Sequence, residues 1–361
     1  MEPGPLIFEP ILKRRIWGGR RLETLGKQLP PEEPIGESWE LADLEEDQSR
    51  VRVGPARGET LAALIEQWGE GLLGGVGLFE GRFPLLIKFL DAARTLSVQV
   101  HPDEGMARRL GGKVRVKNEA WYIIDAAEDG AIFCGLKEGV DRRAFEAAIA
   151  AGRVADTLRR VPVRAGDCHY LPSGTLHALG AGVLVAEVQT PSDITYRVYD
   201  WDRLDPATGR PRELHVEQAL ECIHFGEEPQ RQQRSHAASV WTSVTRLVTC
   251  ESFLIERVRL CEGFEQELPY RGMVVWLVLE GQGELAGQSG EPLSFGPGDT
   301  VLLPAALESA RVRILRDTSW LEVTVPVPGG LAGRQGPDRA GLRRQPPGMV
   351  QINPPPPGER A

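Results

Sequence analysis

Short runs in which apolar and polar side chains alternate dominate the chain, at Thr95 to Val100, Trp121 to Ile124, Val183 to Val188, Met273 to Leu279 and Val301 to Leu303. These runs are rich in β-branched residues and are separated by glycine and proline, the pattern of antiparallel strands in a barrel or sandwich. Helical spacing is confined to a few places. The main one runs from Val140 to Arg160, where Phe145, Ile149, Val154 and Leu158 recur among alanines and arginines, with shorter ones at Glu213 to Ile223 and around Leu61 to Leu72. From Pro326 the chain turns to glycine, proline and arginine and ends in Pro354 to Pro357. Too few apolar residues remain there to pack, so 326–361 is expected to be a flexible tail.

The strand pattern repeats itself. Gly166-Asp167 leads to Leu171-Pro172 as Gly298-Asp299 leads to Leu303-Pro304, and upstream Ala120-Trp121-Tyr122 resembles Val275-Trp276-Leu277. The two halves of the block lie further apart in the first copy, by about the length of the Val140 to Arg160 stretch. Two related β-barrels in tandem, the first carrying a helical insertion around 140–160, account for this. The expected division is 1–240 for the first domain with its polar residues, 241–325 for a second barrel without them, and 326–361 for the tail.

Composition narrows the function classes. With 361 residues the chain exceeds the size at which one core stops growing, which agrees with two domains. The net charge of −9 arises from 51 acidic and 42 basic residues without a long basic run, so no nucleic-acid partner is expected. No stretch of about 18 apolar residues is present to span a membrane, and the order of residues in Met1 to Arg20 is not that of a signal peptide. Cys134, Cys168, Cys222, Cys250 and Cys261 are odd in number and form no Cys-x-x-Cys pair, which fits free thiols in a cytoplasmic protein. Only six of the basic residues are lysines, so a lysine within a polar cluster is noteworthy.

One such cluster is visible. In Leu96 to His101 the strand period puts Ser97, Gln99 and His101 on one face and Leu96, Val98 and Val100 on the other. The same parity groups Lys117, Glu119 and Trp121, and His177 closes Gly166-x5-Pro172-x-Gly174-x2-His177. A lone strand histidine is more often structural, but two imidazoles, a carboxylate and an amide oxygen form a donor set suited to Zn²⁺, with Mn²⁺, Fe²⁺ or Co²⁺ as alternatives. His169, His215, His224 and His236 have no such company and read as structural or exposed.

These residues carry a resemblance. The glycine–proline–glycine–histidine spacing is similar to the second cupin motif, and Gln99-Val100-His101-Pro102 with Lys117-Asn118-Glu119-Ala120-Trp121-Tyr122 resembles the first motif as found in type I mannose-6-phosphate isomerases. Further similarity lies in Ile16 to Gly19, Gly36 to Glu40, Leu86 to Ala92, Thr195 to Trp201 and Glu213 to Glu217, so that it covers roughly 6–325 in the manner of the shorter bacterial form. The resemblance implies a mainly β fold of tandem cupin (jelly-roll) barrels. It implies one Zn²⁺ per chain at Gln99, His101, Glu119 and His177, with Lys117 and Arg197 facing a sugar phosphate, and conversion between mannose 6-phosphate and fructose 6-phosphate. Asn118 stands where the family usually has threonine, and Glu104 where an aspartate usually follows.

Moving a carbonyl from C1 to C2 requires removal of a carbon-bound proton, passage through an enediol and return of the proton to the neighbouring carbon. A Lewis acid stabilises the developing enediolate. Lys117, beside a dication in a partly dry barrel, is the candidate base, because repulsion and desolvation disfavour its charged form. Arg197 stays charged and can hold an enediolate oxygen or a phosphate, unless a salt bridge with Asp193 or Asp200 occupies it. Ser97 is a further hydroxyl donor to substrate. A metal-dependent cupin oxygenase and a non-catalytic sugar-phosphate-binding protein are the competing readings. Glu37 and Trp39 are read as wall or packing residues.

Overall fold

The computed structural model describes residues 2–112, 114–206, 208–227, 232–268, 270–287, 291–307, 310–327 and 350–351. It is mainly antiparallel β-structure and divides into two compact units. Among the described residues no helix is long and apolar enough to cross a membrane. None of the five cysteines forms a disulfide.

One unit comprises Ile11–Trp39 and Leu85–Arg231. Its six-stranded sheet runs in the order Cys168–Leu171, Glu119–Ala126, Val183–Gln189, Leu86–Ala92, Ile35–Leu41, Ile11–Gly19. Its five-stranded sheet runs in the order Tyr196–Tyr199, Val98–Val100, His177–Leu179, Ala131–Leu136, Leu158–Pro162. Leu90, Trp121, Ile123 and Val185 of the first sheet pack against Ile132, Cys134 and Leu179 of the second, so a core lies between them. Side chains of opposite parity on the five-stranded sheet, Val98, Val100, Ala178 and Val198, form a second core under Phe145, Ala219 and Cys222. That outer core turns Gln99, His177 and Arg197 inward, since successive strand residues face opposite ways.

The helical stretch expected from Val140 to Arg160 is shorter in the structure. An α-helix covers Arg142–Ala150, capped by Asp141, whose side chain accepts from the Ala144 amide. Gly152, with φ of +65°, stops it. A 3-10 turn at Val154–Thr157 follows, and Leu158–Pro162 is a strand paired with Ala131–Leu136. Val154 and Leu158, which continue the helical spacing, are buried by the turn and the strand instead. The Leu61 to Leu72 pattern likewise breaks into Leu61–Trp68 and Glu70–Leu73 at Gly69, whose φ is +48°.

The other unit contains an eleven-stranded sheet whose centre is Leu254–Leu260, Arg311–Thr324, Val274–Ala286 and Thr300–Leu303. Trp276 and Trp320 stack at 4.3 Å within its core, with Phe295 edge-on to Trp276. The expected boundary at 240 needs correction. Residues up to Pro10 and Glu40–Pro84 belong with Gln232 onward. Their allegiance follows from strand pairing: Leu6–Phe8 lies between Thr300–Leu303 and Val51–Val53, with Leu6 opposite Leu302. Of the expected tail, Pro326, Val327 and the short strand Val350–Gln351, paired with Ser235–Ala238, are described. The remainder of that expectation lies outside the described residues.

The internal repeat is visible as equal register. Trp121 pairs across to Glu187, and Trp276 to Glu322. Glu119 faces Leu171 and Gln189, whereas Val274 faces Leu303 and Thr324.

Candidate active site and metal centre

Four strands and the segments that flank them bring the sequence candidates together. Gln99 is opposite His177 on one side and Arg197 on the other within the five-stranded sheet. His101 follows directly after the strand Val98–Val100, and Glu119 opens the strand Glu119–Ala126 of the facing sheet. His101, Glu119 and His177 are all buried, and one donor atom from each lies within 4.8 Å of the others. Nε2 of His101 is 3.3 Å and Nε2 of His177 is 3.2 Å from the same Glu119 oxygen, Oε2. Nε2 of the Gln99 amide is 3.3 Å from His177 Nε2.

The outer nitrogens decide what the inner ones offer. His101 Nδ1 is 3.0 Å from the Ile194 carbonyl, and His177 Nδ1 is 2.8 Å from the Thr175 carbonyl. A carbonyl only accepts, so each Nδ1 carries a proton, and in a neutral ring Nε2 then presents its lone pair to the carboxylate. Lone pairs facing lone pairs in a buried space call for a cation between them. His101 Nε2 and Glu119 Oε2 are accordingly buried without a hydrogen-bond partner, a situation that costs free energy unless a ligand relieves it. Burial, reinforced by the nearby Lys117 charge, pushes the His101 pKa down to about 3, so the ring is neutral and available as a ligand. Burial works against charge on Glu119, but the adjacent Lys117 charge holds its carboxyl well below the usual range. The three residues thus fit a divalent metal ion.

Lys117 is buried with Nζ 2.9 Å from Glu119 Oε1. Arg197 donates from one terminal nitrogen to the Glu213 carbonyl at 2.9 Å, and its Nε is buried without a partner. Asp200, one of the two carboxylates that could have neutralised it, is bound by Arg203 and Arg212. Burial and the Arg212 charge lower the Arg197 pKa, the mark of a locally electropositive patch. Ser97 is buried just before the strand that carries Gln99. Asn118, the departure from family usage, accepts the Ser173 amide proton at 3.0 Å and so joins the Glu119 strand to the segment leading to His177.

Residues 6–129 match the profile described as phosphomannose isomerase type I, catalytic domain. The mannose-6-phosphate isomerase ManA of Bacillus subtilis is 39% identical over 311 residues, 85% of this chain and 95% of the relative. The chain belongs to the type I mannose-6-phosphate isomerase family. A mannose-6-phosphate isomerase of Streptococcus mutans is 36% identical, over 84% of this chain and 94% of its own. The crystal structure of a B. subtilis mannose 6-phosphate isomerase superposes with a TM-score of 0.81 at 33% identity, covering 89% of this chain and all of that one. The fold is therefore the tandem cupin arrangement of this family, and neither an oxygenase nor a non-catalytic binding protein is favoured.

In this phosphomannose isomerase fold, sequence reasoning overlooked a second buried polar group next to the triad. Lys88 Nζ lies 3.3 Å from Glu187 Oε1 and 2.9 Å from Gln189 Oε1, while Trp121 donates to Glu187 Oε2 at 2.8 Å. Lys88 also sits over the Trp39 ring at 4.8 Å. Trp39 and Arg15 both donate to Glu37. Burial opposes charge on Lys88, but Glu187 and Glu37 raise its pKa above the usual lysine value. The scarcity of lysine in the sequence was the available signal. These side chains fill the six-stranded sheet's inner face beside Glu119, on strands whose burial is complete enough to read as apolar.

Proposed function

We propose that the chain is a mannose-6-phosphate isomerase that interconverts mannose 6-phosphate and fructose 6-phosphate, working in the cytoplasm with one Zn²⁺ per chain. The observation that carries this reading is the convergence of two Nδ1-anchored histidines on a buried carboxylate, with Lys117 and Arg197 alongside, in a member of this family. His101, Glu119 and His177 would hold the ion, and Gln99, whose amide nitrogen faces His177, would complete the set with its amide turned so that the oxygen, a hard donor that suits the same class of metal, is presented instead. When bound, the ion would supply Lewis-acid polarisation of a substrate oxygen. Free thiols agree with a reducing compartment.

The chain's own residues would do the rest. Lys117 would take the proton from one carbon and deliver it to the next, working from beside Glu119. Arg197, in register with Gln99, would hold the oxygen that gains negative charge or the phosphate through its fork of donors. Ser97 would add a hydroxyl to the phosphate. Walls of buried side chains limit water around the enediol, which strengthens each charged contact.

A coupled assay on mannose 6-phosphate, run before and after chelation and with glucose 6-phosphate as competitor, tests the proposal. Turnover that disappears on chelation and returns with Zn²⁺ is expected. Turnover that persists in fully metal-free protein would refute the metal-dependent reading.

A further inference from the structure

Outside the triad, the ligand-bearing segments are tied together at one point. The Gly174 amide donates to the His101 carbonyl at 3.0 Å, and the Gly174 carbonyl accepts from the His224 amide at 3.0 Å. The His224 ring is laid directly against Gly174, because a β-carbon built on that glycine would meet ring atoms at 2.5 Å. Gly174 also has a φ of +84°, which side-chain-bearing residues rarely adopt. The same ring reaches the other segment: its Nε2 is 2.9 Å from Asp103 Oδ2. Asp103 lies two residues after His101, and its other oxygen accepts from the Met106 amide at 2.8 Å, capping the helix Glu104–Leu110.

One imidazole therefore touches the segments that deliver both histidines of the triad. It stands just beyond the helix Val216–Cys222, whose Ala219 and Cys222 are buried in the outer core, so its backbone is firmly anchored. Read from sequence, His224 is structural or exposed, and its ring is indeed 37% exposed. Exposure conceals the connection that it makes.

We propose that His224 is a positioning residue that presets the separation of His101 and His177 by bridging Asp103 and Gly174. This rests on reading the triad as a metal site. Ligand groups held ready before the ion arrives lose less freedom on binding, so removing the bridge weakens retention of the ion. Outer partners of metal ligands are typically worth about 10–100-fold in affinity.

The test uses Co²⁺ as the probe, because its visible absorption reports ligand geometry. Wild type, His224→Ala and His224→Phe are loaded with Co²⁺, and release to excess EDTA is timed well below each melting temperature. The phenyl ring keeps the packing on Gly174 and removes the bond to Asp103 together with the 3.4 Å contact of Nδ1 with the exposed Glu227 carboxylate, which touches neither ligand segment. Both variants are expected to release Co²⁺ faster than wild type, His224→Ala by about 10-fold or more, with an altered visible band. A His224→Phe protein with the wild-type release rate and band overturns the proposal, whatever its melting temperature. Wild type that takes up no Co²⁺ removes the metal reading first, and the bridge with it.

Discussion

Two strands at corresponding places in the two β-units show how little separates the barrel that carries the candidate site from the one that does not. Glu119–Ala126 and Val274–Ala286 each lie between two partner strands in the same register, and each carries a buried tryptophan opposite a buried glutamate. In the first, Trp121 donates to Glu187, and Lys88 stands beside that carboxylate. In the second, Trp276 donates to the Tyr270 hydroxyl, which is hydrogen-bonded to Glu322, and the residue paired with Glu322 is Glu256. Val274 occupies the place of Glu119, and the second unit has no histidine beyond His236. The scaffold is shared, and the chemistry depends on which polar groups replace apolar ones along it.

The sharpest way to break this contrast is to empty the first barrel. His101→Ala and His177→Ala should each reduce bound metal from about one ion per chain to a small fraction and abolish turnover, while Glu322→Gln should leave the metal content unchanged. Elemental analysis of the purified proteins reads this directly, and undiminished metal in both histidine variants would sink the assignment.

Next in size is the base. Lys117→Met keeps most of the side-chain stem and removes the amine, so metal should remain while turnover drops by about 10²–10⁴. Exchange of the substrate C1 or C2 proton with solvent should also cease. If full exchange persists, the proton moves through another group. Arg197→Lys keeps the charge and loses the fork, so kcat/KM should fall, with binding of fructose 6-phosphate measured by calorimetry separating phosphate holding from charge stabilisation.

A smaller effect, of opposite sign in the two barrels, concerns pH. His101 is held neutral by burial with its pKa near 3, so the unfolded chain binds the proton first. Metal-free protein should therefore lose stability as pH falls from about 6.5 towards 3, and His101→Asn should lose less. Glu322 is different: burial raises its pKa, so folding favours its protonated form. That contribution is complete below the unfolded carboxyl value near 4.5 and is lost as pH rises through the raised folded value. Melting curves of Glu322→Gln should thus gain on wild type as pH rises, and parallel curves would contradict the assignment.

The smallest change should come from Asn118→Thr, which removes the carbonyl that receives the Ser173 amide. A loss of about 0.5–1.5 kcal/mol in stability is expected from denaturant titration, and no loss would mean that threonine supplies an equivalent bond.

The candidate site was legible where strand parity alone governs it. Gln99 and His101 fall two apart at a strand end, so their common direction needs no knowledge of the tertiary fold. The Lys88, Glu187 and Gln189 group was not legible, because residues about a hundred positions apart meet only when Leu86–Ala92 pairs with Val183–Gln189. His224 was hidden for the same reason: its partners are Asp103 and Gly174, both remote in sequence. The overextended helix around 140–160 failed locally, since Val154 and Leu158 satisfy helical spacing yet lie beyond the stop at Gly152. The place of Leu6–Phe8 could not be read at all, since a three-residue apolar run carries no mark of its partner.

That last strand bears on how the chain is made. Leu6 and Ile7 meet Leu302 and Val301, so this segment waits for partners made nearly three hundred residues later. Ile11–Trp39 and Leu85–Arg231 can close on themselves while synthesis continues, whereas the other unit closes only after Gln232 onward has been made. During that interval the side of Leu6–Phe8 that will face Thr300–Leu303 is an unpaired apolar strand edge, the kind of edge on which a foreign strand can add.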